Sequence, residues 1–320
     1  MSDISIDQLK KFATVKFINN FFIIIKLMTT SDSKIALLMA YAVTPVHVGI
    51  GQEFGVVDLP IQKDTMNYPV IYSSSFKGAL KHYCAKKNSE TFLIDEEKKI
   101  NRVKEGGNCS KLFGSDINAD SGIGSVSVTD LKLLLVPARS IDRGPVYLTT
   151  HYMIDSAIDL LALLNDESVS GLLKLLKDLK NVNSTNGNKI RVMGAELPVY
   201  NQNTSINFNN NPPSLYQLLS SNGIAVAPNY VDLGETKVDS SVLVDRALVR
   251  IARNKLDLAR KTTISGALWT EEYIPQGSLF LGIAQGDIAT FKQTMTGDFY
   301  MPLGGKETIG RGIMRIVVHQ

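Results

Sequence analysis

The stretch IALLMAYAVTP (residues 35–45) decides the architecture, because it is an almost unbroken apolar run that ends at a proline. A short apolar run bounded by a chain-breaking residue is typical of a strand that is buried on both faces. Three further stretches have a similar character and are predicted strands: SVSVTDLKLLLVPA (125–138), GSLFLGIA (277–284) and GIMRIVVH (312–319). The chain is therefore expected to contain a buried sheet.

Helical patterns lie between these strands. In YPVIYSSSFKGALKHYCAKK (68–87), a short strand is followed by a helix from about Ser74, with Ser73 to Ser75 as predicted N-caps. Four other helices are predicted, at TTHYMIDSAIDLLALLND (149–166), SGLLKLLKDLK (170–180), SVLVDRALVRIARNK (241–255) and DIATFKQTM (287–295). Strands and helices do not alternate regularly, and no repeat is visible. An α+β domain with insertions is therefore predicted rather than a doubly wound sheet.

The composition is that of a globular protein with a mildly basic charge. The 320 residues are 44% hydrophobic and 20% charged, and the formal net charge is +3. That charge is too small to indicate nucleic-acid binding unless the basic residues cluster. The two cysteines, Cys84 and Cys109, are not spaced as a zinc site. They are predicted to be reduced thiols in a cytoplasmic protein.

Residues 1–30 are predicted to be an N-terminal extension, and residues 31–320 a single domain. The longest unbroken apolar run of the extension, Phe21–Ile25, is far shorter than the ~20 residues that a membrane helix needs. Attachment to a membrane through residues 17–28 is the alternative, and fractionation after lysis would test it.

The loop TPVHVGIGQEFGVVDLPIQ (44–62) carries two residues suited to chemistry, His47 and Asp58. Its glycines are not spaced as in a dinucleotide-binding site, and no second His or Asp lies close enough in the sequence to complete a metal cage. From residue type alone, the histidine packs the loop and the aspartate caps a turn. The loop by itself therefore does not establish a function.

Two segments have the features of a site for phosphate or RNA. The helix start SSSFKGALK (73–81) offers free N–H groups, the positive end of the helix dipole and Lys77. MPLGGKETIGRGIMRI (301–316) is glycine-rich and basic, which suits contact with an RNA backbone. The structural alternatives are an ordinary capped helix and a bulged hairpin.

The run RALVRIARNKLDLARK (246–261) is far more basic than the rest of the chain. On a helix, Arg246, Arg250 and Arg253 would share one face, which favours a polyanionic partner. The alternative is a solvated surface.

Two other segments carry structural predictions. KIRVMGAELPVY (189–200) lies between Asn-rich loops and is predicted to be an extended hairpin arm. In SGALWTEEYIPQGSLF (265–280), residue type alone predicts that Glu271 and Glu272 are exposed acids at the edge of a strand.

Four of these stretches together resemble the RAMP superfamily of CRISPR proteins: TPVHVGIGQEFGVVDLPIQ, SSSFKGALKHY, SGALWTEEYIPQGSLF and LGGKETIGRGIMRI. More narrowly, they are similar to the backbone ribonuclease subunits of type III-B (Cmr) effector complexes. The most specific part is GVVDLPIQ with the Ser-rich, Lys-bearing helix start after it. The resemblance implies an α+β fold, a modified ferredoxin-like (RRM-type) palm with a helical insertion and a β-hairpin thumb at about 186–215.

The resemblance also implies a function and its partners. Copies of the chain would stack along a CRISPR guide RNA together with other Cmr complex subunits, in the cytoplasm and without a membrane. Complementary target RNA would be cleaved at regular intervals, once per subunit. Two alternatives stay open: a guide-RNA-binding scaffold without nuclease activity, and an endoribonuclease that processes guide RNA.

For individual residues, the resemblance implies catalytic roles for Asp58, His47 and Glu271, with Glu272 as the alternative acid. Asp58 would act as a base or hold a divalent cation, Mg²⁺ or Mn²⁺. His47 would orient the loop or assist proton transfer. The predicted RNA contacts are Ser74, Ser75, Lys77, Gly304, Gly305, Gly310 and Arg311, together with Arg246, Arg250 and Arg253 of the basic run.

Overall fold

The structure is a computed structural model of mixed α/β type. It describes residues 34–51, 55–95, 100–115, 122–164, 169–182, 189–200, 222–234 and 236–319. The predicted N-terminal extension, residues 1–30, lies outside these ranges. None of the helices within the ranges is long and apolar enough to cross a membrane.

The elements are numbered in chain order. The strands are β1 (Lys34–Ala42), β2 (Val70–Ile71), β3 (Thr91–Asp95), β4 (Ile100–Val103), β5 (Val126–Val128), β6 (Leu131–Ser140), β7 (Gly144–Thr150), β8 (Lys189–Val192), β9 (Ala195–Tyr200), β10 (Ile224–Ala227), β11 (Tyr230–Asp232), β12 (Lys237–Asp239), β13 (Val249–Leu256), β14 (Thr263–Tyr273), β15 (Leu279–Gly286), β16 (Phe299–Pro302) and β17 (Ile313–His319). The helices are α1 (Ser73–Lys87), α2 (Asn108–Phe113), α3 (His151–Ala162), α4 (Ser170–Lys180), α5 (Ser241–Ala247) and α6 (Ile288–Met295), and Glu307–Ile309 forms a 3₁₀ turn. The four predicted strand segments are confirmed, except that residues 125–138 contain two strands, β5 and β6, and not one. All but one of the predicted helices are confirmed.

A central sheet runs in the order β16-β17-β1-β15-β6-β7-β10-β9-β8, with β2 added on β6 and β5 added on β15. β1 lies between β17 and β15 and is antiparallel to both. Its side chains alternate between two cores: Leu38 and Ala40 face one, and Leu37 and Met39 face the other. Because both faces are covered, the strand reads as a continuous apolar run without polar alternation.

Helices cover the sheet on both sides. On one side, the core contains Phe76 and Leu80 of α1 and Phe291 of α6. On the other side, α3 and α4 contribute Ile154 and Leu176 among others. The apolar faces of these helices therefore bury both faces of the apolar strands, and the strands bury the helices in turn.

The two cysteines form a disulfide, so the prediction of two reduced thiols is wrong. Cys84 lies in the last turn of α1 and Cys109 at the start of α2, and both are fully buried. The Asn88 amide contacts both sulfur atoms, and the Glu90 carboxylate accepts the backbone N–H groups of Asn108 and of the residue after it. The two cysteines are 25 residues apart in sequence, so their spacing gave no sign of this contact.

The prediction of a helix at 241–255 is also wrong for its second half. α5 ends at Ala247, and the chain continues as β13, which pairs antiparallel with β14. The β-branched residues Val249 and Ile251 recur at every second position, which suits a strand. The local sequence is compatible with both structures, and pairing with β14 decides between them.

The β13–β14 hairpin is a two-stranded sheet separate from the central one. Residues 254–266 at its far end are exposed, apart from a partly covered Asp257. By contrast, β8 and β9 lie within the central sheet, where β9 pairs with β10 and β8 reaches β6. This part of the predicted thumb does not project. Residues 201–215 are outside the described residues, so the thumb at 186–215 stays a prediction.

Candidate functional site

The segment that follows the glycine-rich first loop is joined to β14 by main-chain hydrogen bonds. The Leu59 N–H donates to the Thr270 carbonyl at 3.0 Å, and the Glu272 N–H donates to the Leu59 carbonyl at 3.0 Å. Leu59 thereby pairs in parallel with Glu271. β14 therefore fixes the position of the chain directly after Asp58.

Asp58 is half-buried, and its side chain is bonded to the same strand. Its Oδ2 accepts the Thr270 N–H at 2.7 Å. Its other oxygen, Oδ1, has no hydrogen-bond partner among the described residues. Asp58 therefore does not cap a turn of its own loop, and one carboxylate oxygen remains available to a ligand.

His47 is buried, with 7% of its surface exposed, and lies between β14 and the C-terminal glycine-rich loop. Its Nδ1 is 2.7 Å from the Glu272 main-chain carbonyl. Its own carbonyl accepts the Gly305 N–H at 2.8 Å, and its ring lies 5.5 Å from the Tyr273 ring. Two residues predicted from different parts of the sequence, His47 and Gly305, are thus brought into contact.

Glu271 and Glu272 are both 1% exposed, so the prediction of exposed acids is wrong. The Glu271 carboxylate is bonded to four donors: Lys306 at 2.6 Å, the Trp269 indole at 2.8 Å, Arg253 at 3.3 Å and the Tyr273 hydroxyl. Burial opposes the ionisation of this carboxyl, but hydrogen bonds from Lys306, Tyr273 and Trp269 outweigh it and lower its pKa to about 2.

The Glu272 carboxylate belongs to a second cluster. It binds Arg250 at 2.8 Å and Lys63 at 3.5 Å, and it accepts the Ile61 N–H at 3.3 Å. The same two cations bind Asp245, at 2.7 Å and 2.9 Å. Burial opposes the ionisation of Asp245, but Lys63 and Arg250 together lower its pKa. This cluster attaches the chain after Asp58 to β14 and α5.

The C-terminal glycine-rich loop packs directly on His47. Gly304 has a φ of +87°, and a Cβ there would lie 2.3 Å from the His47 carbonyl oxygen. Only glycine fits this close approach of two main chains. Arg311, from the same loop, lies over the Tyr273 ring at 5.2 Å. Its Nε is buried and has no hydrogen-bond partner among the described residues.

The start of α1 is connected to this region through Gln62. The Gln62 amide donates to the Ser75 hydroxyl at 2.9 Å and accepts the Tyr72 N–H at 3.0 Å. No serine side chain caps the helix, which corrects the prediction of N-caps at Ser73 to Ser75. The Asp130 carboxylate instead accepts the Ser73 N–H at 2.7 Å.

The residues of α1 that are predicted to contact RNA differ in their exposure to solvent. Ser74 is exposed and Lys77 is half-buried. Burial and the neighbouring positive charge of Lys81 lower the pKa of Lys77. Because Lys77 has no acidic partner among the described residues, an anion at this place would be stabilised by its charge.

The three arginines of the basic run do not share a face, because β13 is a strand. Residues three apart lie on opposite faces of a strand, and Arg250 accordingly binds Glu272 whereas Arg253 binds Glu271. Arg246 lies elsewhere, where it donates to the Met193 carbonyl at 2.7 Å. The prediction of one basic helical face is therefore wrong.

Two important residues, Lys63 and Asp245, were not predicted from the sequence. Each is an ordinary charged residue in its own segment, and its partners lie up to 209 residues away. The periodicity of apolar residues within a segment cannot reveal a pair of residues that lie in distant segments.

The donor set for a metal is small. Within the described ranges, no group of three or more His, Cys, Asp or Glu side chains could hold a metal ion. Asp58 alone offers a free carboxylate oxygen at the site. This fits a divalent cation only if RNA phosphate and water supply the other ligands, which is a common arrangement for Mg²⁺.

Comparison with known proteins identifies relatives along nearly the whole chain. The RAMP superfamily model matches residues 40–315. The CRISPR system CMR subunit Cmr4 of Saccharolobus solfataricus is 31% identical over 303 residues, which are 86% of this chain and 93% of that protein. The CRISPR system Cmr endoribonuclease Cmr4 of Pyrococcus furiosus is 26% identical over 313 residues, which are 90% of this chain and 96% of that protein.

Solved structures have the same fold. A chain in the cryo-EM structure of the type III-B Cmr-beta complex bound to cognate target RNA superposes with a TM-score of 0.65 and 23% identity, covering 89% of this chain and 96% of that one. Oligomeric Cmr4 from Pyrococcus furiosus superposes with a TM-score of 0.54 and 22% identity, covering 89% and 98% of the two chains.

Proposed function

The chain belongs to the RAMP superfamily, and we propose that it is a guide-RNA-binding backbone subunit of a type III-B (Cmr) CRISPR effector that cleaves target RNA. The two relatives named as Cmr4, one of them an endoribonuclease, are matched over nearly their whole length. The observation that carries the proposal is the convergence at β14 of three distant segments: the loop with His47 and Asp58, the pair Glu271 and Glu272, and the glycine-rich loop 304–311.

A modified ferredoxin-like palm is proposed for the central part of the sheet. The chain order β1, α1, β6, β15, α6, β17 is a β-α-β-β-α-β order. The corresponding strands lie side by side as β17-β1-β15-β6, and each neighbouring pair is antiparallel. α3 and α4 are the helical insertion between the two halves.

The guide RNA is proposed to run across the glycine-rich loop and the start of α1. Lys77 carries a charge that no acid compensates among the described residues, and Arg311 has a buried Nε without a partner there. Both features suit phosphate oxygens, which accept hydrogen bonds and carry negative charge. Gly310, where a side chain would enter open space, lets the RNA backbone approach closely, and Gly304 and Gly305 bring the loop against His47. Contacts to phosphate and ribose make the recognition independent of the guide sequence.

The β13–β14 hairpin is the described element best suited to the role of a projecting thumb. Its exposed end carries Lys255, Arg260 and Lys261, and Leu258 is 94% exposed. Basic side chains suit phosphates, and an apolar side chain suits the face of a base. A target nucleotide displaced by this hairpin would lie near Asp58, at the base of the same hairpin.

Cleavage requires a ribose 2′-hydroxyl that loses its proton and a phosphate that is held in line with it. Asp58 supplies the carboxylate at the site, with Oδ2 fixed by Thr270 and Oδ1 left without a partner among the described residues. A divalent cation, Mg²⁺ or Mn²⁺, bound at Asp58 would supply positive charge that neutralises the phosphate. Glu271 acts indirectly in this proposal, because its carboxylate already binds four donors.

Other copies of the chain and other Cmr subunits are the proposed protein partners, and the cytoplasm is the proposed compartment. The Pyrococcus protein of the same fold was solved as an oligomer. Copies that stack along one guide would place one Asp58 at each repeat, which gives cuts in the target at regular intervals.

The test uses the assembled complex with a guide and a labelled complementary RNA, carrying wild-type chain, Asp58→Asn or the control Asp232→Asn. We expect Asp58→Asn to retain target binding and to lose cleavage by about 100-fold or more, as for removal of a group acting at the reacting atoms. The control acid is exposed on β11, away from the site, and should leave both unchanged. EDTA should abolish the cuts, and Mg²⁺ or Mn²⁺ should restore them. Unchanged cuts with Asp58→Asn would indicate a scaffold beside another nuclease.

A further inference from the structure

The hydrogen bond of His47 fixes which of its ring nitrogens carries a proton. A main-chain carbonyl can only accept, so the contact of 2.7 Å with Glu272 requires a proton on Nδ1. In a neutral imidazole the other nitrogen, Nε2, then has a free lone pair. His47 therefore presents Nε2, and not Nδ1, as its proton acceptor.

Gly49 lies directly beside that nitrogen. A Cβ on Gly49 would be 2.7 Å from Nε2 of His47, and the next two nearest atoms also belong to the imidazole. A side chain at position 49 would therefore cover Nε2, whereas glycine leaves it open. Nε2 has no hydrogen-bond partner among the described residues, and it is not one of their buried polar atoms without a partner.

The backbone does not require glycine at this position. Gly49 is absent from the residues with positive φ, whereas Gly51 in the same loop has a φ of +106°. The φ angle of Gly49 is thus open to an alanine, and the obstacle to a side chain there is its contact with the His47 ring. Glycine is therefore needed here to avoid a steric contact, and the atom that a side chain would meet first is Nε2 of His47.

The imidazole cannot easily move away from such a side chain. Its Nδ1 is bonded to the Glu272 carbonyl on β14, and a Cβ on Gly305 would also touch the ring, 3.5 Å from Cδ2. The main chain of His47 is itself bonded to the glycine-rich loop. The ring is therefore held by β14 and the glycine-rich loop, with Nε2 directly beside Gly49.

We propose that Gly49 is a positioning residue that keeps Nε2 of His47 open to the 2′-hydroxyl of the target ribose. The inference rests on the proposed endoribonuclease function and names the base for it. Nε2 takes the 2′-hydroxyl proton while the 2′ oxygen forms a bond to phosphorus and the bond from phosphorus to the 5′ oxygen breaks. The leaving 5′ oxygen takes a proton from water, and His47 returns its proton to solvent. The products are a 2′,3′-cyclic phosphate and a 5′-hydroxyl, and Asp58 remains free for the cation.

The first test compares two single methyl groups in one loop. In Gly49→Ala the methyl meets Nε2, whereas in Gly55→Ala it enters open space at a residue with no positive φ. In the assembled complex we expect Gly49→Ala to slow single-turnover cleavage by about 100-fold without weakening target binding. Gly55→Ala should cleave as wild type does. His47→Ala should lose as much as Gly49→Ala, and the double variant should lose no more than either, because both changes act through the same nitrogen.

A second test does not depend on cleavage. The second test records NMR spectra of the full chain labelled with ¹⁵N-histidine. The His47 signals are assigned by their absence in His47→Gln. They are measured at a pH above which they no longer change position. We expect a protonated Nδ1 and an unprotonated Nε2, and a change of the Nε2 signal in Gly49→Ala but not in Gly55→Ala. A proton on Nε2 in the wild-type chain would overturn the proposal.

The outcomes separate this proposal from the function on which it rests. If Asp58→Asn abolishes the cuts while Gly49→Ala cleaves as fast as Gly55→Ala, the role of Gly49 is refuted and the nuclease function stands. If the wild-type complex does not cleave at all, the nuclease function fails, and the proton acceptor role of Nε2 fails with it.

Discussion

Glu271 and Glu272 are neighbours on β14, and both are almost fully buried, yet they serve different parts of the molecule. Successive side chains of a strand point to opposite faces, so their carboxylates diverge. Glu271 binds Lys306 of the glycine-rich loop. Glu272 binds Lys63, which follows the loop of Asp58. One strand therefore attaches the proposed guide-binding loop through one carboxylate and the proposed cleavage loop through the next.

The two carboxylates also differ in electrostatic surroundings. Glu271 shares its cations Lys306 and Arg253 with no other acid among the described residues. Burial opposes its ionisation, but hydrogen bonds from Lys306, Tyr273 and Trp269 lower its pKa to about 2. Glu272 shares the cations Lys63 and Arg250 with Asp245, so the second cluster contains two negative and two positive charges. We therefore expect that guide binding and cleavage can be perturbed separately, although the two supporting glutamates are adjacent in sequence.

The largest expected effect comes from Glu271→Gln. The wild-type carboxyl has a pKa lowered from 4.5 to about 2, which corresponds to about 3 kcal/mol of folding stability. A lowered folded-state pKa contributes stability above the unfolded value and loses it as the pH falls. The variant should therefore be about 3 kcal/mol less stable than wild type at neutral pH. The difference should shrink between about pH 4.5 and pH 2.

Denaturant unfolding at several pH values, followed by circular dichroism, measures this difference. Glu272→Gln is the control on the same strand: it removes a buried carboxylate and leaves Glu271 with its donors, so the acid-dependent loss of stability that belongs to Glu271 should remain. A Glu271→Gln deficit that stays constant from neutral pH to pH 2 would contradict the assignment, since it would not depend on the ionisation of this carboxyl.

A smaller effect is expected from Lys63→Met, on the Glu272 side. Loss of this cation leaves Glu272 with Arg250 and frees the chain after Asp58 to move. A small displacement of a reacting group is enough to slow catalysis, so cleavage should fall by about tenfold while guide binding is unchanged. Lys63→Arg should restore the rate, because it keeps the charge and can reach both acids.

Lys306→Met is the matched variant on the Glu271 side. It removes the cation that holds the glycine-rich loop, so it should weaken guide binding and leave the cleavage rate of the bound complex unchanged. If both lysine variants change the same quantity, the two carboxylates do not support separate functions.

The sequence alone predicted most of the fold, because the central strands and most helices are defined by local apolar patterns. β1 and β6 could be identified from single stretches, as could α3 and α4. The β13–β14 hairpin could not, since the run 241–255 suits a helix until it is paired with a strand that follows it. Cys84 and Cys109 meet only because α1 and α2 pack together.

For the site, the sequence identified residues but not their relations. His47, Asp58 and Glu271 were predicted by resemblance, and the structure brings all three to β14. Residue type predicted that Glu271 and Glu272 are exposed. They are buried because partners such as Lys63 and Lys306, which lie in other segments, neutralise their charges. The basic run is the clearest case: the charges of Arg250 and Arg253 were visible in the sequence, and their pairing with the buried acids Glu272 and Glu271 was not.

The smallest expected effect tests that neutralisation. If a cation contacts an RNA phosphate, its removal lowers the slope of log affinity against log salt by roughly 0.7 to 0.9. Lys77→Met should produce such a decrease in guide binding, since Lys77 has no acid partner in the described chain. Arg250→Met should leave the slope unchanged, because this guanidinium already binds Asp245 and Glu272. Titration of guide RNA at several salt concentrations measures both, and an equal decrease for the two variants would return Arg250 to the RNA-binding surface.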